Sequence, residues 1–218
     1  MASSSSPIVS GTCLWAPTQA QLDKAEVTDF AAFVRAKTQF NWHQDFNSLW
    51  QWSVDHMPEF WDLLWDWHGI IGDKGGRILA NPDKMPGAEF FPDAQINFAE
   101  NLLADADERL AISAHSEDGR ITRFTRAELK QRVMALAGWL QGHGVTEGDR
   151  VAAYTPNCVE TVIAMLATAS LGAVFSSCSP DFGLQGVCDR FGQIEPKILI
   201  GCDGYHYAGK TIDRMDVL

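Results

Sequence analysis

The octapeptide Gly204-Tyr205-His206-Tyr207-Ala208-Gly209-Lys210-Thr211 has the pattern G-x-x-x-x-G-K-[ST]. Residues of these types at this spacing bind phosphate. Glycine-rich backbone wraps its N–H groups around the oxygens, the lysine brings a point charge, and the hydroxyl sits on Mg2+. Three features count against a complete P-loop. Two tyrosines and a histidine fill the stretch where backbone must approach closely. Only eight residues follow Lys210, too few for a long anchoring helix. No later strand can offer an acidic magnesium ligand. A loop in which Lys210 meets a single phosphate fits the sequence better, and a plain surface lysine is the remaining reading.

Other candidate groups carry less. Cys178 lies at the carboxyl end of an expected strand, but a nucleophilic thiol needs a base that no nearby residue supplies. Asp55, Glu59, Asp62 and Asp66 recur at helical spacing. No histidine joins them at ligand spacing, so they read as a solvated acidic face rather than a metal site. The patterns G-x-S-x-G, H-E-x-x-H and G-x-G-x-x-G are absent. Neither a catalytic residue nor a metal ligand is assigned.

Composition bounds the rest. The 218 residues are 46% apolar and 21% charged, ordinary for a globular chain long enough to build a core. The net charge of −11 argues against nucleic acid or anionic lipid as partners, since both are polyanions. Residues 1–108 hold 16 acids and 6 bases, a net of −10; residues 109–218 hold 12 and 11, a net of −1. An anionic ligand is therefore expected in the second half. Seven of the eight tryptophans precede residue 70. They suit core or inter-domain packing better than a ligand cage. The five cysteines are odd in number and show no C-x-x-C spacing, which reads as buried free thiols in a reducing cytoplasm. Ser3–Ser6 carry neither a basic nor an apolar signal region, and the longest apolar run, 161–175, is too short to span a membrane.

These residues need elements to position them. Residues 1–16 read as a disordered or irregular tail. Thr18 to Gln21 form a capping box, and Thr28 is expected to cap a helix that stacks Phe30, Phe33, Val34 and Lys37. Pro58 opens a helix with Phe60, Trp61, Leu64, Trp65 and His68 on one apolar face. Residues 69–108 read as a connecting segment with one helix near 96–103. Beyond it come strands at 110–116 and 120–125 around an Asp-Gly turn, then a capping box at Thr125–Glu128 leading a helix through Leu129, Val133, Leu136, Ala137 and Leu140. Strands at 151–154, 173–176 and 197–202 alternate with helices at 157–171 and 184–194. That order predicts βαβ units on a parallel sheet, with ligands at the strands' carboxyl ends. The relevant loops are 155–158, 177–183 and 203–210. The expected fold class is α/β, a helical tryptophan-rich region (17–108) followed by an incomplete βαβαβ parallel-sheet subdomain (109–218).

Four stretches carry a family resemblance. Leu49-Trp50-Gln51-Trp52-Ser53-Val54 with Glu59-Phe60-Trp61 resembles the N-terminal region of acetyl-CoA-synthetase-like enzymes. Residues 91–103 (FPDAQINFAENLL), 176–183 (SSCSPDFG) and 190–197 (RFGQIEPK) narrow the resemblance to the acetoacetyl-CoA synthetases. These are AMP-forming acyl-CoA synthetases of the adenylate-forming superfamily. The resemblance implies an acid–thiol ligase: acetoacetate and ATP give an acyl-adenylate and diphosphate, and CoA displaces AMP. It implies ATP, CoA and Mg2+ as cofactors and small-molecule substrates as partners. The chain lacks the family's Gly/Ser/Thr-rich phosphate loop, Thr-Glu magnesium motif, hinge aspartate and C-terminal lysine. The expectation is an N-terminal fragment of about a third of such an enzyme, inactive alone, ending as a new βα unit begins and leaving a sheet edge that invites association. In related acetyl-CoA synthetases an Arg-Ala-Gly-Arg loop contacts the 3′-phosphate of CoA. The aligned residues are Tyr207, Ala208, Gly209 and Lys210, which keep the second basic position and put tyrosine at the first. The resemblance thus makes these four the candidate CoA-binding residues, with Lys210 on the phosphate and Tyr207 stacking or donating.

Two other readings stand beside the ligase fragment. One is a stand-alone nucleotide- or CoA-binding module that uses the 204–211 stretch. The other is an interaction domain that acts through the tryptophan-rich helices.

Overall fold

The computed structural model describes residues 10–42 and 45–218. The chain forms two compact units: Met1–Ile70 with Lys74–Asp93, and Ile71–Asp73 with Ala94–Leu218. The change in charge and composition at 108/109 does not coincide with this division. Of the expected tail, residues 1–9 lie outside the described residues, and residues 10–18 form a turn and irregular chain.

In the first unit, α1 (Gln19–Asp23) carries the expected capping box: Gln21 N–H donates to the Thr18 hydroxyl, and the Gln21 side chain accepts from Thr18 N–H. α2 (Glu26–Lys37) starts two residues before Thr28. Thr28 does not cap it; its hydroxyl donates back to the Leu22 carbonyl at 2.6 Å. α3 (Phe46–Asp55) is capped by the Asp45 side chain, and α4 (Met57–His68) has Pro58 in its first turn. Phe30, Val34, Leu49, Trp52 and Leu63 form the core. The apolar face expected on α4 is corrected: its buried residue is Leu63. Phe60, Leu64 and Trp67 pack on the α2–α3 core, whereas Trp61 meets Phe90 and Trp65 meets Phe91. The helix is covered on two flanks, so its apolar surface is wider than one stripe. On the acidic side, Lys74 bridges Asp62 and Asp66 at 2.7 and 2.5 Å.

The segment 69–97 holds four two-residue strands absent from the sequence expectation: β1 (Gly72–Asp73), β2 (Leu79–Ala80), β3 (Glu89–Phe90) and β4 (Gln95–Ile96). β2 pairs with β3 in the first unit, and β1 with β4 in the second.

The second unit continues with α5 (Phe98–Leu102). Its cap, Asn97, also donates to the carbonyl of Ala169 at 2.9 Å. β5 (Leu110–His115) and β6 (Ile121–Thr125) form the expected hairpin, with Gly119 at φ +82° in its turn. α6 (Arg126–Gly142) begins at the Thr125–Glu128 capping box and buries Leu129, Val133, Ala137 and Leu140. β7 (Arg150–Tyr154), α7 (Val159–Ser170), β8 (Val174–Cys178), α8 (Leu184–Ile194) and β9 (Ile198–Gly201) follow. α7 begins at Val159, two residues later than expected. The sheet is parallel with order β8-β7-β9. Successive residues of a strand face opposite sides. Val151 accordingly joins the cluster with α6 and α7, while Ala152 and Tyr154 join Val187 and Phe191 of α8. Both faces of β7 are covered, as a central parallel strand requires.

The end of the chain departs from expectation. No βα unit begins after β9. Instead β10 (Gly204–Tyr207) pairs antiparallel with β11 (Lys210–Asp213), and residues 215–217 form a turn. Ala208 and Gly209 have φ of +49° and +73°. Two consecutive positive-φ residues match the twist of a tight hairpin.

Candidate functional site

The loops that leave the carboxyl ends of β7, β8 and β9 converge. They enclose a cleft of about 460 Å3, lined by residues 156–158, 179–181 and 204–207, with 115–117 from the β5–β6 turn closing its rim. The three segments expected to surround a ligand therefore do meet, because one parallel sheet delivers all three strand ends to one edge.

Each wall has a local cause. On the β7 side, the Thr161 hydroxyl donates to the Pro156 carbonyl at 2.9 Å and to Thr155 Oγ1 at 2.8 Å, which folds residues 155–158 over the start of α7. On the β8 side, the buried Tyr154 hydroxyl shares its one proton between the carbonyls of Pro180 and Phe182, at 2.8 and 2.7 Å. Burial raises the Tyr154 pKa, so the phenol remains a donor. On the β9 side stands the hairpin. The Tyr205 hydroxyl donates to Asp181 at 2.5 Å. This bond, and then one from Ser179, lowers the Asp181 pKa, while Asp181 raises that of Tyr205.

The octapeptide of the P-loop pattern is not a phosphate-wrapping loop ahead of a helix. It is strand, turn and strand, with Tyr207 opposite Lys210 at the turn. The Thr211 hydroxyl meets His206 Nδ1 at 3.1 Å. A P-loop needs consecutive N–H groups curled around one anion, and cross-strand pairing sends these groups elsewhere. The four candidate residues sit together at the hairpin tip. Tyr207 is 58% exposed and lines the cleft. Lys210 is exposed, and no ion pair to it occurs among the described residues. Gly209 N–H points to the carboxylate of Glu117 at 3.3 Å. An acceptor already rests on the tip's backbone donor, one residue before Lys210 in the chain.

Cys178 is buried and its thiol pKa is raised by that burial, which holds it as a thiol rather than a thiolate nucleophile. Sequence reasoning assigned no role to Tyr154, Asp181, Tyr205, Glu117 or Arg214 individually, although Asp181 and Tyr205 lie in loops expected at the strand ends. Most of their partners stand 24 to 92 residues away, and even Arg214 meets Tyr205 nine residues off, at no spacing that marks a local motif. No described helix is long and apolar enough to cross a membrane.

A parallel sheet whose strand ends gather three loops around one cleft matches the comparison by family. The chain belongs to the AMP-binding enzyme family, whose model matches residues 99–216. Its homologues include acetoacetyl-CoA synthetases. It is 43% identical over 200 residues to the acetoacetyl-coenzyme A synthetase of Rhizobium meliloti (strain 1021), covering 92% of this chain and 31% of that one. It is 42% identical over 178 residues to the acetoacetyl-CoA synthetase of Xenopus tropicalis, covering 80% and 26%. The solved acetoacetyl-CoA synthetase from Streptomyces lividans superposes with a TM-score of 0.82 at 37% identity, over 93% of this chain and 32% of that chain. The match is to the N-terminal part of that structure. The chain spans about a third of the length of the relatives it matches.

Proposed function

We propose that this chain is the N-terminal part of a ligase that activates acetoacetate with ATP and transfers it to CoA, and that its share of the task is to hold CoA at the β10–β11 hairpin. The reaction joins a carboxylate oxygen to the α-phosphorus of ATP, releasing diphosphate. The CoA sulfur then attacks the acyl carbon, its proton is lost, and AMP leaves with the bond electrons. The observation that carries the CoA reading is Lys210, an exposed ammonium with no ion pair among the described residues, paired across the hairpin with the cleft-lining Tyr207.

The residues present suit one end of CoA. The Lys210 ammonium supplies a point charge for a phosphate, and the exposed Tyr207 ring offers a face for adenine or a hydroxyl to donate. An arriving phosphate oxygen would take the place of the Glu117 carboxylate at Gly209 N–H, exchanging one anion for another. Mg2+ belongs to the proposal for the longer enzyme only. No three His, Cys, Asp or Glu side chains gather to hold a metal among the described residues. With no Gly/Ser/Thr-rich phosphate loop in its 218 residues, the chain alone is expected not to form acetoacetyl-CoA. The five cysteines are free thiols, which supports a cytoplasmic setting, but only Cys178 is buried, and Cys13 and Cys188 are exposed rather than buried as expected.

The test compares CoA with dephospho-CoA by titration calorimetry. CoA is expected to bind about threefold to tenfold tighter, with the difference vanishing in Lys210→Ala and shrinking at high salt. Equal affinity for the two ligands in the unaltered chain, or no saturable binding of either, would overturn the CoA reading.

A further inference from the structure

Beneath the cleft, one line of donors joins the central strand to the hairpin. Asp181 sits between Pro180 and Phe182, whose carbonyls both accept from the buried Tyr154 hydroxyl. The residue is thus carried on a loop pinned at both neighbours. Its Oδ1 accepts the Tyr205 hydroxyl at 2.5 Å, and its Oδ2 accepts the Ser179 hydroxyl at 2.9 Å. Arg214, just beyond β11, braces the same phenol. Its Nη2 lies 3.5 Å from the Tyr205 oxygen, and its guanidinium carbon is 5.7 Å from the ring centre. Tyr205 is only two residues from Tyr207, so the hydroxyl contact fixes the strand that delivers the candidate CoA residues.

A bare carboxylate lining a cleft for an anionic ligand would weaken binding. Asp181 is not bare, since two hydroxyls occupy its oxygens. Its chemistry here is that of an acceptor.

We propose that Asp181 is a positioning residue, which accepts the Tyr205 hydroxyl and thereby holds the β10–β11 hairpin against the loop after β8, setting where Tyr207 and Lys210 stand. The proposal rests on the reading of those two residues as CoA contacts. The bond joins two elements that share no ladder, so its loss removes the hairpin's tie to the loop after β8 without unpairing β10 from β11.

The experiment pairs CoA titration with amide hydrogen exchange across residues 204–213 in Asp181→Ala, Asp181→Asn, Tyr205→Phe and the Asp181→Ala/Tyr205→Phe double variant. Asparagine keeps an oxygen acceptor, so Asp181→Asn should stay near the unaltered protein. The other single variants should each weaken CoA binding by about threefold to tenfold and speed exchange in the hairpin. The double variant should be no worse than either single one. Protection of β7 amides verifies folding. If Lys210→Ala loses affinity while Asp181→Ala and Tyr205→Phe do not, or if their effects add, the latch is refuted and the CoA reading stands. If the unaltered chain binds no CoA, that reading fails, and exchange decides the latch alone. Faster hairpin exchange in Asp181→Ala keeps it, and unchanged exchange refutes it.

Discussion

Removing one oxygen atom tests how the β8 side of the cleft is built. Tyr154 is wholly buried in β7, and the single proton of its hydroxyl is shared between two carbonyls at 2.8 and 2.7 Å. Tyr154→Phe keeps the ring, so packing against Val187 and Phe191 is preserved and no large cavity opens. The two carbonyls fare differently. Pro180 is itself fully buried, so its carbonyl is left without a partner, whereas the Phe182 contact is only partly buried and can regain water. A buried acceptor left unsatisfied costs about 1–3 kcal/mol, so the expected loss is about 2 kcal/mol. With a urea slope of about 2 kcal/mol per molar, the unfolding midpoint falls by about 1 M. Circular dichroism during urea unfolding measures it. Burial keeps the phenol protonated, so the shift should be equal at about pH 6 and about pH 8. A shift below about 0.2 M would refute the reasoning, because it would mean that the loop after β8 does not depend on this hydroxyl.

Two further outcomes are expected. Asp149 is pushed down to about 2, first by its bond from Lys197 and then by those from Thr146. A carboxyl with a depressed folded pKa stabilises fully above its unfolded value of about 3.9 and loses that effect as pH falls through the folded one. Stability should therefore drop between about pH 4 and pH 2, and Asp149→Asn should flatten that slope; an unchanged slope would remove the pair from the account. In the first unit, Leu63→Ala should cost about 2–5 kcal/mol, read by tryptophan fluorescence because seven of eight tryptophans lie before residue 70. A cost below about 1 kcal/mol would return the core role on α4 to its neighbours.

What the sequence determined by itself is local or periodic. The capping boxes at Thr18 and Thr125 form as read, since their partners stand three residues apart. The spacing of Leu129, Val133, Ala137 and Leu140 fixes the buried side of α6, and alternating strands and helices predict the parallel sheet and the loops that meet at its edge. Gly204–Thr211 satisfies a phosphate-loop pattern letter by letter, and the objections to a complete P-loop hold; what the sequence did not show is that positive φ at Ala208 and Gly209 makes the stretch a hairpin. Only the tertiary structure decided that Leu63 rather than Trp61 is the buried residue of α4, because that depends on which neighbours cover the helix. Only the fold brings Tyr154 to Pro180 and Phe182, Asp181 to Tyr205 and Glu117 to Gly209. A hydrogen bond reaches about 3 Å, and the residues it joins are adjacent only after the chain has folded.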